Sequence, residues 1–176
     1  ISVGVVSSEH FLVERDETEE YLPRGKRPVM EYFYRRVRRR FGWLMLADGS
    51  PEGGQWNFDA QNRARWSGPP RDPEPPEPSP EAGPAGGVAA DLRREYHDIL
   101  DAGIPHFGEP QSEHFPWPLT RADAHAMLRH FCNALLPHFG TYQDAMHHEQ
   151  RTLFHSRLSF ALNVKLLSPK EVIEQA

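Results

Sequence analysis

Residues 139–167 read FGTYQDAMHHEQRTLFHSRLSFALNVKLL, and the reading of this stretch decides the fold. It sets Gly, Tyr, Asp, three His, two Ser and an Asn among apolar residues, near the end of a long helical tract. A helix that only packs a core has no use for so many hydrogen-bonding groups in one place, so the composition is that of a lined pocket. At its centre, His155-Ser156-Arg157-Leu158-Ser159 reads as a loop entering a new helix. Hydroxyls and free backbone N–H groups at His155, Ser156, Leu158 and Ser159 suit an anionic group such as a phosphate. A Ser ahead of an apolar run is also an ordinary N-cap, which is the commoner case. The Tyr142 ring is placed to flank an aromatic or sugar moiety, and Asp144 reads either as a pocket residue or as a plain turn residue.

Upstream, Thr120 with Asp123 three residues on forms a capping-box pattern. Behind it Leu128, Phe131, Cys132, Leu135 and Phe139 recur at helical spacing, and Gly140 is expected to stop that helix. Downstream, Ser168-Pro169 predicts a last helix over 170–175. A modest helix is expected over 88–100, followed by a Pro/Gly-rich loop over 102–118 that Phe107, Phe115 and Trp117 can pin. Between 67 and 87 lie eight of the chain's 17 prolines with almost no apolar content. Such a segment cannot bury enough surface to offset chain entropy, so it reads as an extended or disordered linker and a domain boundary.

The first third reads differently. Val3, Val5, Val6, Phe11 and Leu12 suit one strand or two short ones over 2–13, and the acidic run at 16–20 opens a short helix through Tyr21. From 28 to 43, Met30, Phe33, Tyr34, Val37, Phe41 and Leu44 follow the spacing of one helix face. Arg35, Arg36, Arg38, Arg39 and Arg40 spread over the rest. Two readings stand: a solvated basic face whose stems cover apolar neighbours, or contact with DNA phosphates or an acidic partner. Gly53-Gly54-Gln55-Trp56-Asn57-Phe58-Asp59 then reads as a structured loop. The glycines supply unusual backbone angles, and Asn57, Asp59, Asn62 and Arg63 supply local hydrogen bonds.

Composition narrows the rest. Against 20 Lys and Arg stand 25 Asp and Glu, a formal net charge of -5, so any nucleic-acid contact must come from a local patch. Cys132 is the single cysteine, which excludes an internal disulfide and an internal cluster held by several thiolates. It sits on an apolar face and reads as a small core residue. Ten His invite a metal, but His147, His148, Glu149 and His155 do not have H-E-x-x-H spacing. Ser156 has no nucleophile-elbow glycines around it. No run of 18 apolar residues occurs, so the chain reads as non-membrane and cytoplasmic.

The wording FG-x-YQDAM followed by LFHS-x-LS-x-x-LN-x-x-LLSP resembles the flavin-domain segment of the photolyase/cryptochrome superfamily. It is most similar to the bacterial deoxyribodipyrimidine photolyase-related branch, the iron–sulphur (6-4) photolyases. Met30-Glu31-x-Phe33-Tyr34-Arg35 and Gly53-Gly54-x-Trp56-Asn57-Phe58-Asp59-x-x-Asn62-Arg63 extend the resemblance upstream. In the wider superfamily a Thr-Ser-x-Leu-Ser segment holds the FAD phosphates, and here His155 stands in the place of the Thr. The resemblance implies a mostly α chain in three parts. Residues 1–66 would end an α/β, Rossmann-like antenna domain, 67–87 would link, and 88–176 would begin an all-α FAD-binding domain. It implies FAD at Tyr142, His155, Ser156, Leu158 and Ser159. It also implies a 4Fe-4S cluster and a lumazine-type antenna bound mainly by other parts of a longer protein, of which this chain is expected to be an inactive middle piece. The whole would be a light-dependent DNA photolyase, or a light sensor, monomeric and acting on damaged DNA, with Arg36 and Arg39 near phosphates. The alternative is a non-catalytic helical interaction module that binds an acidic partner. If 67–87 is a linker, limited proteolysis of the folded protein cuts first within it; uniform protection across the segment defeats that assignment.

Overall fold

The computed structural model describes residues 3, 4, 6, 8, 10–22, 24, 25, 27–68, 70, 71, 73–76, 87–108, 117–150 and 152–176, without the side chains of 87–89. Their regular structure is helical, in two compact units, Ile1–Asn62 and Arg63–Ala176. The described part of 2–13 forms none of the expected strands. β-branched side chains favour extended backbone, but a strand exists only with a neighbour to take its N–H and C=O groups. Among the described residues the β-type pairing is one isolated bridge, Met45 with Pro51. Of the expected linker, only 67, 68, 70, 71, 73–76 and 87 are described, and Phe115 also lies outside the described residues.

In the first unit, α1 (Thr18–Tyr21) and α2 (Met30–Phe41) are joined by arginines. Arg36 donates to the carbonyls of Glu20 at 2.7 Å and Tyr21 at 3.4 Å. Arg40 reaches the Glu17 carboxylate at 2.8 Å and the Tyr21 hydroxyl at 3.0 Å. Arg38 is buried and ties down the chain just past α2 by donating to the carbonyls of Trp43 and Leu44. Helix α2 stops at Gly42, whose φ of 69° suits a residue without Cβ. The guanidinium groups of Arg35, Arg38 and Arg39 gather on the Trp56 ring at 5.3, 5.2 and 4.6 Å. Gly53 is required there: its φ is 77°, and a Cβ would stand 2.9 Å from the Phe58 ring. Of the apolar face read from α2, Val37 is buried and Phe33 packs edge-on to Tyr21. Met30, Tyr34, Phe41 and Leu44 stay exposed among the described residues. A unit this small has little interior to offer them.

In the second unit, α3 (Gly87–Asp101) matches the expected helix over 88–100. Thr120 and Asp123 close the capping box that starts α4 (Arg121–His130). The next turn, Phe131–Leu135, is wider than α: the Leu136 N–H donates back five residues to Phe131. The cause is two residues on. Pro137 has no N–H and its ring clashes with the carbonyl four residues before it, so the wide turn relieves what a regular helix would suffer. Helix α5 (Leu136–Tyr142) then runs through Gly140, so the expected stop there is corrected by two residues. The Thr141 carbonyl instead finds a partner far away in sequence, the Ala64 N–H at 3.1 Å. After a long loop come α6 (Ser159–Asn163) and α7 (Pro169–Gln175), separated by a Schellman turn. In it Leu166 N–H donates to Ala161 at 2.8 Å and Lys165 N–H to Leu162 at 3.2 Å, with Lys165 left-handed. Leu128, Phe131, Leu135, Phe154, Leu158, Ala161 and Leu167 form the core, with Trp66, Cys132 and Tyr142 packed against it. Burial pushes the Cys132 thiol pKa up, as a core role implies.

Helices α4 and α7 are tied at one point. Glu171 accepts from the Ser168 N–H at 2.8 Å in a second capping box and pairs with Arg121, which also donates to the Leu166 carbonyl at 3.0 Å. The Ser168 N–H, and after it Arg121 working against some burial, hold the Glu171 carboxyl below its usual range. Folding lowers this pKa, so the stabilisation is complete above the unfolded value of about 4.3 and disappears as pH falls through the lower folded value. Glu171→Gln keeps a capping oxygen and loses the charge. Thermal melts should show the variant less stable at neutral pH, with the gap closing as pH drops below about 4. A gap that persists unchanged into acid would mean that the charge is not the cause.

Candidate functional site

The site is a loop between α5 and α6 held in an uncommon conformation. Thr152 to His155 makes a turn closed by the His155 N–H on the Thr152 carbonyl at 2.9 Å. Its two central residues, Leu153 and Phe154, have φ of 39° and 66°. Left-handed backbone is costly for residues with a Cβ, and more so for bulky ones. What keeps it is burial, since Leu153 is 2% exposed and Phe154 is sealed in the core. Tyr142 stacks on Phe154 with centroids 5.5 Å apart, which fixes the end of α5 against the turn. His155 fastens the other side: Nδ1 lies 2.7 Å from the Thr152 carbonyl oxygen and Nε2 3.1 Å from that of Gln143.

Beyond the clip the chain is left-handed again at Arg157, φ 55°. Its guanidinium lies 4.9 Å over the Trp117 ring, and Trp117 stacks on Phe160 of α6 with centroids 5.6 Å apart. Ser156 Oγ accepts from the Leu158 N–H at 3.4 Å, which leaves its own hydrogen free to donate elsewhere. Beside the turn opens a cavity of about 600 Å³ whose polar lining includes His147, Gln150, Thr152, His155 and Arg157, with Trp117 as its aromatic wall. That volume lies within the range of small-molecule sites. A second cavity, of about 50 Å³, lies where Pro73, Pro75 and Pro76 approach His155, Ser156 and Arg157. The same segment is anchored upstream by Trp66, which donates to the Pro70 carbonyl at 2.7 Å.

The five residues expected at the site are therefore close in the chain but differently employed. His155 lines both cavities and Ser156 the smaller one; Tyr142, Leu158 and Ser159 line neither. The Leu158 side chain is a core group, and its backbone N–H already donates to Ser156 Oγ. Ser159 is exposed at the first position of a helix only five residues long. Asp144, exposed, lies 3.8 Å from Arg63. Sequence reasoning gave Arg157 no role of its own and read Trp117 only as an anchor for the loop over 102–118. Arg157 is the charged member of a run of short polar groups, and that was the available signal; nothing local announces Trp117, 40 residues away. Among the described residues no group of three His, Cys, Asp or Glu is arranged to hold a metal ion, and no helix is long and apolar enough to cross a membrane.

Residues 1–115 match the family described as deoxyribodipyrimidine photo-lyase-related protein. The chain belongs to that family. Its similarity to one relative runs from end to end: a (6-4) photolyase of Agrobacterium fabrum (strain C58 / ATCC 33970) is 35% identical over 177 aligned positions. The alignment takes in 100% of this chain and 32% of the relative, so the chain spans about a third of that protein's length.

Proposed function

We propose that the protein carrying this chain is a light-dependent flavoprotein that repairs (6-4) pyrimidine photoproducts in DNA, and that the loop 152–159 holds the phosphates of FAD. The observation that carries the reading is the fixed, donor-rich loop beside a ligand-sized cavity, in a chain 35% identical to a (6-4) photolyase. The donor set fits a diphosphate: the Ser156 and Ser159 hydroxyls, backbone N–H groups from the turn into α6, and a guanidinium. Because α6 is short, these donors rather than a helix dipole would bind the anion. His155 has carbonyl oxygens at both ring nitrogens, so its part in this reading is to hold the loop where the superfamily has a Thr hydroxyl. When bound, FAD supplies the photochemistry that passes an electron to the lesion; the residues here bind it, orient it and keep the loop still. The chain does not fit an iron–sulphur cluster, because its one cysteine is half-buried against the core. By the same reading residues 1–66 end an antenna domain and 88–176 begin the flavin domain, with the lumazine-type antenna and the cluster held elsewhere. Two compact units dividing after Asn62 support a boundary in this region.

The competing module, an arginine-rich helix docked on an acidic partner, has less behind it. Arg36, Arg38 and Arg40 are engaged by carbonyls and a carboxylate, and Arg39 by Trp56. Arg36 and Arg39 remain exposed, with donors left for DNA phosphates. In the full-length protein, replacing both by Gln should weaken DNA binding and flatten its salt dependence, since each phosphate contact releases counterions. An unchanged salt slope returns them to a structural role.

The site itself is tested at Ser156. Charge-assisted hydrogen bonds to phosphate contribute about 1.5–3 kcal/mol each, and tenfold in affinity needs only about 1.4 kcal/mol. Ser156→Asp sets a negative charge against the phosphates, so flavin retention should fall well over tenfold while the fold survives. Ser156→Ala should cost less, because backbone donors remain. An Asp variant purified with full flavin content would falsify the assignment.

A further inference from the structure

A groove of about 770 Å³ runs between α2 and the loop 52–62, entirely within the first unit. Its apolar lining lies open: Met30 is 67% exposed, Leu44 57%, Tyr34 50% and Phe58 39%. The walls are fixed nonetheless. The Glu52 N–H donates to the Leu44 carbonyl at 2.8 Å and the Leu46 N–H to the Ser50 carbonyl at 2.9 Å, while Gly53 lets the Phe58 ring close against its turn. Leu44 is left-handed, φ 53°, as Leu153 and Phe154 are, but no core covers it among the described residues. Such backbone is costly for a bulky residue. In the second unit burial offsets the cost; here more than half of the side chain is open. Three carboxylates, of Glu31, Glu52 and Asp59, line the groove against one guanidinium, of Arg38. Arg38 is turned to the carbonyls of Trp43 and Leu44, and Glu31 is paired with Arg35. Asp59 accepts from the Asn57 amide at 3.3 Å, and neither it nor Glu52 meets a cation among the described residues. This lining repels phosphate and suits an apolar group with a positive charge beside it.

We infer that the groove seats a segment from elsewhere in the same longer protein, which inserts an apolar side chain between Met30, Tyr34, Leu44 and Phe58 and sets a Lys or Arg against Glu52 and Asp59. An open face this apolar has the character of a core cut in half, which marks permanent contacts rather than passing ones. The chain covers 32% of the (6-4) photolyase it aligns with, so about two thirds of such a polypeptide lies outside it. A tethered segment is present at high effective concentration and fills the groove ahead of a free competitor. The inference does not rest on the flavin reading; it needs only a polypeptide longer than this chain.

The test places p-benzoylphenylalanine at Tyr34 of the full-length protein, and at Tyr32, exposed on α2 outside the groove, as a control. After near-ultraviolet irradiation the Tyr34 position should cross-link within one polypeptide. The product keeps the mass of the monomer, and mass spectrometry finds the adduct outside these 176 residues, on a segment that carries Lys or Arg. The control should give no such adduct. Glu52→Lys should lower the melting temperature by more than Glu52→Gln does, and added salt should narrow the difference. A product of dimer mass, an adduct to another molecule, an adduct inside the 176 residues or on a segment without a basic residue, and no adduct beyond the control's each overturn the inference. So does a melting temperature that Glu52→Lys leaves unmoved.

Discussion

The second unit depends on one constraint: two bulky residues held left-handed in the turn from Thr152 to His155. Each such residue costs on the order of 1–3 kcal/mol. Burying a Leu or Phe side chain returns roughly 1.5–3 kcal/mol. The two effects are of similar size, so the turn persists only while Leu153 and Phe154 stay in the core, 2% and 0% exposed. The core thus fixes the direction of the backbone that follows it, and with it His155, Ser156 and Arg157. Fixed geometry is what a binding loop needs, because ligand affinity is not then diminished by ordering the loop.

What the sequence made legible is what local chemistry decides. Thr120 with Asp123 and Ser168 with Glu171 cap helices through atoms three residues apart, and both boxes form where the letters put them. Gly53 is needed at its turn for a reason visible in its neighbours. The misreadings share the opposite property. Gly140 looked like a stop, but the helix runs on to Tyr142, and the Thr141 carbonyl accepts from the Ala64 N–H of a distant segment. The valines near the start looked like a strand, but a strand is a property of two segments. Nothing in Leu153-Phe154 announces positive φ, because no intrinsic preference produces it; only the tertiary burial does.

Charge follows a similar division. The chain carries a formal net charge of -5, yet a concentration of arginines stands out against it in α2. In the first unit the arginines of α2 serve structure: they tie down the chain past the helix, join α1 and crowd one indole. In the second unit the Arg157 guanidinium lines a cavity that has no carboxylate among its described lining residues.

The wide turn at Phe131–Leu135 has a consequence for timing along the helix axis. It places one more residue in the turn than an α-helix would, so α5 emerges with its phase set back. Were the same residues to relax into regular α-helix, everything after them would swing by about 100° and advance by about 1.5 Å. Tyr142 would leave the ring of Phe154, and the Gln143 carbonyl would leave His155. Pro137, though exposed, thus acts as the index mark that keeps the end of α5 in step with the loop it fastens.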